Sequence, residues 1–262
     1  MKKLLLVFAH PDDESFSCGG TVAKYVKAGW EVHLLCATRG ERGETGPYGK
    51  LDPETLGGIR QKEVQQAATL LGIHTVSFLD YIDGTLAART PGDIEDFVYR
   101  KMIEMVPDAV ITFDTTGISN HPDHVKLCYS TTYAFQKYST WVADQFEDQA
   151  DRDENVQPKL YYVCMPESIA TYLKKQKNIP RELFNKPWIG TPDERITTVI
   201  DTGKFTGVKK KALGAHISQQ ADVNRFLSLP HHPQLLHEHY ILRFHGTKEV
   251  FMGKNDRVSN KL

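Results

Sequence analysis

The sequence KLLLVFAHPDDE at residues 3–14 passes from an unbroken apolar segment into a cluster of polar and acidic residues. Six consecutive apolar residues at positions 4–9 are typical of a strand that is buried on both faces, as in the parallel sheet of an α/β protein. Further apolar runs occupy residues 31–37, 75–79 and 109–113, and helical patterns separate them at residues 19–28, 59–71 and 94–106.

This alternation of short strands and helices predicts βαβ units. We therefore predict an α/β fold with a Rossmann-like, doubly wound and mainly parallel sheet, helices on both faces, and a C-terminal extension. The core takes up residues 1–140, and residues 141–262 complete the fold and the substrate side, so that residues 1–262 form a single domain. The less regular part contains an acidic and amide-rich stretch at residues 144–155, expected to be an exposed loop or a frayed helix end. It also contains strand patterns at residues 160–165 and 197–200 and a helix at residues 205–220.

The charge balance argues against a protein that binds nucleic acid through bulk electrostatics, because 32 Lys and Arg are offset by 33 Asp and Glu. The basic clusters at residues 174–177 and 209–211 lack the interleaved aromatic residues of a nucleic-acid platform. No G-x-G-x-x-G motif follows the first strand, which disfavours nucleotide binding. We expect a small-molecule substrate and no nucleic-acid partner, and the sequence leaves the oligomeric state open, a homo-oligomer included.

The N-terminus is similar to a signal peptide but too short to be one. Its apolar run has six residues, whereas a signal peptide needs about 7–15. No segment approaches the roughly 20 apolar residues of a membrane span. The four cysteines form no C-x-x-C pair, so we expect free, mostly buried thiols in a cytoplasmic protein without a membrane span.

Two polar loops should meet at one edge of the predicted sheet, because ligands of open α/β sheets bind outside the carboxyl ends of the strands. The first loop, residues 10–14, follows the first strand, and the second, residues 114–124, follows the fourth. Two imidazoles and one carboxylate are a frequent catalytic zinc set. His10 and Asp13 are three residues apart, and His124 can reach the same point from the second loop.

A hydrolytic zinc site also needs groups that move protons. Asp12 and His121 are available for this work, with Asp123 able to orient His121. Each loop taken alone is explained as well by helix capping, but the pair at equivalent positions favours a metal site.

The motifs AHPDDE at residues 9–14 and HPDH at residues 121–124 closely resemble the two signatures of the LmbE-like, or PIG-L-type, zinc deacetylases. The resemblance covers residues 4–138, with a weaker match at AHISQ, residues 215–219. It implies removal of acetyl groups from N-acetylglucosaminyl compounds, such as precursors of mycothiol and bacillithiol and the glucosamine of GPI anchors.

The resemblance also implies roles for individual residues. The zinc ligands would be His10, Asp13 and His124, the general base Asp12, and the oxyanion and amine partner His121, with Asp123 behind it. Glu14 would support the site, Glu41 and Glu44 would belong to a substrate loop, Arg60 would contact a sugar or phosphate, and His216 would line the pocket. Asp83, which follows the third strand, is placed to reach a sugar hydroxyl. This chain has Ser119 where thiol-pathway members can carry Tyr, so an oxyanion contact from that position is not expected.

The favoured function is zinc-dependent N-deacetylation of an N-acetylglucosaminide. One alternative is an amidase for a larger N-acyl substrate, such as a thiol S-conjugate or an antibiotic. The other is a non-catalytic protein that binds a metal or a carbohydrate, although binding alone needs neither Asp12 nor His121. Fe(II), Co(II) and Mn(II) are alternatives to zinc. The five histidines at residues 231–245 show no ligand spacing and are expected to be solvated or packed.

Overall fold

The computed structural model describes residues 1–145, 157–229, 231–250 and 259–262, and its centre is one large β-sheet. The strands are β1 (Lys3–Phe8), β2 (Glu31–Thr38), β3 (Thr75–Tyr81), β4 (Ala109–Phe113), β5 (Lys159–Cys164), β6 (Glu182–Leu183), β7 (Lys186–Pro187), β8 (Thr198–Asp201), β9 (His237–His245) and β10 (Lys248–Glu249). β6 and β7 form a separate two-stranded hairpin.

The large sheet has the order β10-β9-β5-β4-β1-β2-β3, and β8 also pairs with β9. Strands β1 to β5 are parallel, whereas β9 runs antiparallel to β5, β8 and β10. The order of winding reverses between β1 and β4, which makes the crevice there the expected ligand site. The predicted Rossmann-like sheet is thus confirmed, and the C-terminal part supplies its antiparallel edge.

Helices cover both faces of the sheet. Within the described residues they are α1 (Asp13–Lys27), α2 (Pro53–Leu71), α3 (Asp93–Met105), α4 (Gly117–Asn120), α5 (Pro122–Gln145), α6 (Glu167–Lys175), α7 (Thr206–Ala215), α8 (Gln220–Leu227) and α9 (Pro233–Leu236). Helices α1 and α2 pack with α7, and α3 packs on α5. Most of the acidic stretch at residues 144–155 lies outside the described residues.

Two helices begin earlier than their apolar patterns predict. Helix α1 begins at Asp13, inside the first polar loop, and α2 begins at Pro53. The side chain of Asp52 accepts a hydrogen bond of 2.9 Å from the backbone N–H of Thr55, and proline is favoured at the first helical position. Residues 39–58 contain six glycines and two prolines, which predicts a long loop after β2, but α2 takes up the last six of these residues, so the loop is shorter than predicted.

Helix α1 bends at Cys18, and its second segment has an unusual cap. The buried carboxylate of Glu238, on β9, accepts hydrogen bonds from the backbone N–H groups of Gly20 at 2.9 Å and Thr21 at 2.7 Å. Nζ of Lys209 lies 2.6 Å from the same carboxylate and balances its charge. A carboxylate at a helix N-terminus is favourable. The C-terminal part thereby anchors the helix that starts at the polar loop.

The hydrophobic core lies on both sides of β1, whose continuous apolar run is fully buried. Tyr240 and Phe244 on β9 belong to the same core cluster as the first strand, so both halves of the chain share it. The four cysteines are free and buried, as predicted. No helix in the described part of the chain has the length and apolarity needed to cross a bilayer.

Candidate active site

The loops after β1 and β4 meet at the crevice between these strands. β1 leads into His10 and then Asp13, and β4 leads through α4 to His124 in the first turn of α5. The three side chains are largely buried, with 7–9% of each residue exposed. Two motifs far apart in the sequence therefore form one polar cluster inside the protein.

Donor atoms of His10 and His124 lie close together, and each lies near a different carboxylate oxygen of Asp13. Nδ1 of His10 lies 3.1 Å from Nε2 of His124. One carboxylate oxygen of Asp13 lies 3.5 Å from Nδ1 of His10, and the other lies 3.4 Å from Nε2 of His124. Ligands about 2.0–2.2 Å from a tetrahedral metal ion are separated from one another by about 3.3–3.6 Å. The residues present therefore fit a metal ion held between them.

The outer partners of the two imidazoles orient their lone pairs toward the same point. Nδ1 of His124 lies 3.2 Å from the carbonyl oxygen of Gly117, so this nitrogen carries the proton. Nε2 of His10 lies 3.0 Å from a carboxylate oxygen of Asp83 and 3.4 Å from one of Asp123, and these two negative charges favour a proton on this nitrogen. Two imidazole lone pairs and a carboxylate thus converge, and a cation between them removes their mutual repulsion.

The charges around the cluster shift the pKa values of its members. Burial alone would raise the pKa of Asp13, but the adjacent His124 and His10 hold it well below its usual range. Burial lowers the pKa of His124 to about 3. Burial would also lower the pKa of His10, but hydrogen bonds to Asp123 and two further carboxylates raise it well above its usual value. The net field at His10 is negative, which favours a bound cation.

Asp12 lies beside the cluster and lines the adjoining cleft. Its backbone φ of 117° is one that non-glycine residues rarely adopt, and its N–H donates a hydrogen bond of 3.1 Å to the carboxylate of Glu14. Burial raises the pKa of the Asp12 carboxyl to about 7, and the guanidinium of Arg60, 3.1 Å away, opposes that rise. The surrounding structure thus holds a strained residue whose carboxylate faces the cleft.

His121 packs on the cluster from the side of the second loop. Its ring stacks on that of His124 with centroids 4.6 Å apart, and it meets the ring of His10 edge-on at 4.7 Å. Nδ1 of His121 accepts a hydrogen bond of 3.2 Å from the backbone N–H of Asp123, which leaves Nε2 to carry a proton. Donor atoms of the three histidines lie within 4.8 Å of one another. His121 can therefore contact a molecule bound at the centre.

A cleft of about 350 Å³ opens beside Asp12, Asp13 and His124. Ser119 also lines it. One wall is apolar, and its residues include Phe16, Ile118, Met165, Ile179, Leu183, Trp188 and Phe226. Sequence reasoning missed this wall, because apolar residues that line a cleft have the same pattern as core residues.

Similarity to known proteins agrees with the geometry. A sequence profile described as PIG-L, GlcNAc-PI de-N-acetylase, matches residues 5–135, which is half of the chain. The chain belongs to the PIG-L family. One relative, from Saccharopolyspora erythraea, is named 1D-myo-inositol 2-acetamido-2-deoxy-α-D-glucopyranoside deacetylase 2. It is 31% identical to this chain over an alignment of 261 residues, and the match covers 91% of this chain and 92% of the relative.

Solved structures confirm the fold of this PIG-L protein. An N,N′-diacetylchitobiose deacetylase from Pyrococcus horikoshii has a TM-score of 0.64 at 20% identity and covers 94% of this chain and 84% of its own. A 4-carboxy-2-hydroxymuconate hydratase from Pseudomonas putida KT2440 has a TM-score of 0.66 at 19% identity, with coverages of 97% and 99%. Because a deacetylase and a hydratase share the fold, the reaction has to be inferred from the site.

In this PIG-L site the carboxylate of Asp123 faces His10. It accepts hydrogen bonds from the backbone N–H groups of Gly84 at 2.7 Å and Leu86 at 3.0 Å, and it lies 3.4 Å from Nε2 of His10. The contact between Asp123 and His121 is made by the backbone N–H of Asp123. Orientation of His121 by the Asp123 carboxylate stays a prediction. The side chains diverge because His121 precedes α5, whereas Asp123 lies in its first turn.

Asp83 lies beside His10. One oxygen lies 3.0 Å from Nε2 of His10, and the other accepts a hydrogen bond of 3.2 Å from the backbone N–H of Arg42. The residue is buried. These contacts favour a role in holding the tautomer and the orientation of His10, and contact of Asp83 with a sugar hydroxyl stays a prediction.

Arg60 packs against Asp12 and is not among the residues that line the cleft, and its contact with a sugar or phosphate stays a prediction. It is 3% exposed, and it donates hydrogen bonds of 2.6 Å to the carbonyl oxygen of Pro11 and 2.8 Å to that of Gly40. A Cβ atom at position 40 would collide with the guanidinium, so glycine is required there. The arginine therefore joins the loops after β1 and β2 and keeps a positive charge next to Asp12.

His216 also lies behind the cleft and does not line it. The residue is 1% exposed, and its Nε2 lies 3.0 Å from the carboxylate of Glu14 and 3.2 Å from Oγ of Ser15. The adjacent Glu14 outweighs the effect of burial and raises the pKa of His216. Glu14 thus connects this imidazole to the backbone of Asp12. His216 thus forms a buried ion pair that supports the first loop, and its assignment to substrate binding stays a prediction.

The predicted substrate loop after β2 contacts other protein segments. Glu41 accepts a hydrogen bond of 2.9 Å from the backbone N–H of Asp83 and so holds the loop after β3. Glu44 is exposed, and its carbonyl oxygen accepts one of 2.8 Å from the side chain of Gln219. Neither glutamate lines the cleft beside Asp12. Contact of Glu41 or Glu44 with substrate stays a prediction.

An Asp83→Asn substitution separates the two roles considered for this residue. We expect a 10–100-fold weaker metal affinity, because loss of the partner of a ligating histidine typically has about this effect. Competition with a chelator, followed by metal analysis of the protein, measures it. A variant that binds metal like the wild type but has a raised KM would instead place Asp83 at the substrate.

Proposed function

We propose that the protein is a metal-dependent hydrolase that removes the acetyl group from a small molecule containing N-acetylglucosamine. The observation that carries this proposal is the convergence of the His10, Asp13 and His124 donors directly beside the Asp12 carboxylate, at the inner end of a cleft. A metal site that serves structure needs no additional carboxylate facing an open cleft. Membership of the PIG-L family, and the glucosaminide in the relative's name, support the substrate class.

The metal would be held by His10, Asp13 and His124. Two imidazoles and one carboxylate are typical of catalytic zinc, and Fe(II), Co(II) and Mn(II) accept the same ligands. A metal ion bound there supplies a Lewis acid that polarises the acetyl carbonyl and makes bound water more acidic. The carboxylates of Asp83 and Asp123 hold His10 in the tautomer that ligation requires.

Asp12 would move the proton, and His121 would stabilise the adduct. Asp12 accepts a proton from the attacking water, and the adjacent Arg60 stabilises the ionised carboxylate that this task needs. His121 donates a hydrogen bond from Nε2 to the oxygen of the tetrahedral adduct, and Asp12 passes its proton to the departing nitrogen. The C–N bond breaks, the water oxygen remains in acetate, and the glucosamine leaves as a free amine.

The apolar wall of the cleft favours one second candidate, which is hydrolysis of a larger N-acyl substrate. Phe16, Phe226 and Trp188 offer more apolar surface than an acetyl group can cover. An acyl chain or an apolar aglycone would lie against them. The same catalytic groups serve both candidates, so the choice between them depends on the substrate alone.

The test is hydrolysis by the purified protein loaded separately with zinc, cobalt, manganese or ferrous iron. The substrates are N-acetylglucosamine, its inositol and malate conjugates, N,N′-diacetylchitobiose, and amides of glucosamine with longer acyl groups. Acetate and free amine are measured in parallel. We expect equal amounts of both from at least one acetylated glucosaminide.

Two results would overturn the proposal. Release of amine from the longer amides without acetate release from any acetylated compound would favour the second candidate. No release from any amide with any of the four metals would remove the hydrolase assignment altogether.

A further inference from the structure

The hairpin formed by β6 and β7 has a strained turn. The turn residues Phe184 and Asn185 have φ angles of 52° and 57°. Two-residue hairpin turns with both central φ angles positive favour Asn-Gly, and a bulky aromatic residue is a rare occupant of the first position. Strain of this kind persists where the surrounding structure supports it, and it is often found at functional sites.

The strained turn presents an aromatic ring to the active site. The ring of Phe184 meets the ring of His121 edge-on, with centroids 4.7 Å apart and an angle of 74° between the planes. Neighbouring residues of the hairpin segment, Leu183 and Trp188, line the cleft. The side chain of Asn120 donates a hydrogen bond of 3.0 Å to the carbonyl oxygen of Pro187, which ties the hairpin to the residue before His121.

Burial in the hydrophobic core does not explain the contact between Phe184 and His121. Phe184 is 45% exposed, so its position is not explained by burial of its own surface. The rings of His124 and His10 restrain His121 on the metal side, and one backbone hydrogen bond restrains its Nδ1. Phe184 supplies the restraint on a further side, where the imidazole would otherwise meet water.

We infer that Phe184 is a positioning residue for His121, and that the hairpin from Glu182 to Pro187 closes this side of the cleft. This inference rests on the proposed function, in which His121 contacts the oxygen of the tetrahedral adduct. Phe184 fixes the direction of the imidazole and shields it from solvent. A small misplacement of a catalytic group lowers the rate of the chemical step with much less effect on substrate binding.

The turn itself allows a test that does not depend on damaging the fold. The double variant Phe184→Asn with Asn185→Gly has the turn sequence that this geometry prefers, so the hairpin should be at least as stable as in the wild type. It lacks the aromatic ring. The single variant Asn185→Gly relieves strain in the same turn and keeps Phe184, and Phe184→Tyr keeps a ring at the same position.

We expect kcat of the double variant to fall about tenfold or more with little change in KM, whereas the melting temperature does not fall. Asn185→Gly should retain the wild-type kcat, and Phe184→Tyr should recover most of it. The inference is overturned if the double variant retains kcat within a factor of about two, or if Asn185→Gly loses as much as the double variant.

A second measurement, chemical modification of His121, does not depend on enzymatic activity. Diethyl pyrocarbonate modifies accessible neutral imidazoles, and peptide mass analysis of the metal-free protein gives the rate at His121, with the exposed His231 as internal reference. The rate at His121 should increase several-fold in the double variant and stay unchanged in Asn185→Gly. An equal rate in all proteins would overturn the shielding role. If the wild type hydrolyses none of the substrates, the proposed function fails, while this measurement still decides the role of Phe184.

Discussion

An Asp12→Asn variant should lose about 10²–10⁴-fold in kcat and still bind metal like the wild type, because a general base contributes about this factor. Asparagine has nearly the same size as aspartate and tolerates the positive φ of this position better than most residues. It cannot accept the proton from water. Hydrolysis rates and metal analysis on the same preparation measure the two quantities.

Asp80→Asn is a matched control for this variant. Asp80 also has a positive φ, and its carboxylate also pairs with an arginine, at 2.7 Å from Arg39, but it lies on the exposed end of β3. The control should keep both activity and metal. If Asp12→Asn retains kcat within about threefold, another group accepts the proton, and the general-base assignment of Asp12 is wrong.

Strands β1 and β4 were predictable because central parallel strands are buried on both faces, and their runs are apolar without alternation. The edge strand β3 is only partly buried, with Thr75 before and Ser77 between its apolar residues, yet the observed ends of β1 to β4 differ from the predicted ones by two residues at most. The start of α2 was missed because Gly57 and Gly58, inside its first two turns, hid a local signal, Asp52 followed by Pro53. The hairpin of β6 and β7 was missed because strands of two residues have no periodicity.

The site was predictable as a set of loops, and much less so as a set of contacts. The rule that ligands bind at the carboxyl ends of parallel strands brought His10, Asp13 and His124 to one edge, and the structure places them together there. The rule says nothing about the direction in which a side chain points. Asp83 follows the third strand and Asp123 lies in the HPDH motif, as expected. Both carboxylates nevertheless face Nε2 of His10, on the side of the ring away from His124.

The difference between the position of a residue and the direction of its side chain also applies to Arg60 and His216, which are buried behind the first loop. Arg60 and His216 were assigned to the substrate by resemblance, but each pairs with a carboxylate of the loop that carries the ligands. A charged residue near a site supports either a ligand or the protein, and burial decides between them. Burial depends on helices α2 and α7 packing together over α1, which is a tertiary fact that no local pattern contains.

The second large effect is expected for His124→Ala, which should weaken metal binding by more than about 100-fold and abolish hydrolysis. Loss of a residue that supports a ligand typically lowers metal affinity by about 10–100-fold, and loss of the ligand itself should lower it further. The ring of His124 also stacks on Phe113 at 3.9 Å, so its removal can lower stability. Asp13→Asn keeps the volume of the side chain while removing its charge, and it should lose metal in the same way.

His33→Ala is the matched control for the removal of a buried imidazole, because His33 lies on β2 with its Nδ1 2.8 Å from Oγ1 of Thr75 and takes no part in the cluster. Metal analysis after dialysis, combined with the melting temperature, separates loss of metal from loss of fold. His124→Ala and Asp13→Asn should appear metal-free but folded, and His33→Ala should retain metal. If both cluster variants keep a full complement of metal, the ion is bound elsewhere, and the converging lone pairs of His10 and His124 have to be satisfied by a proton instead.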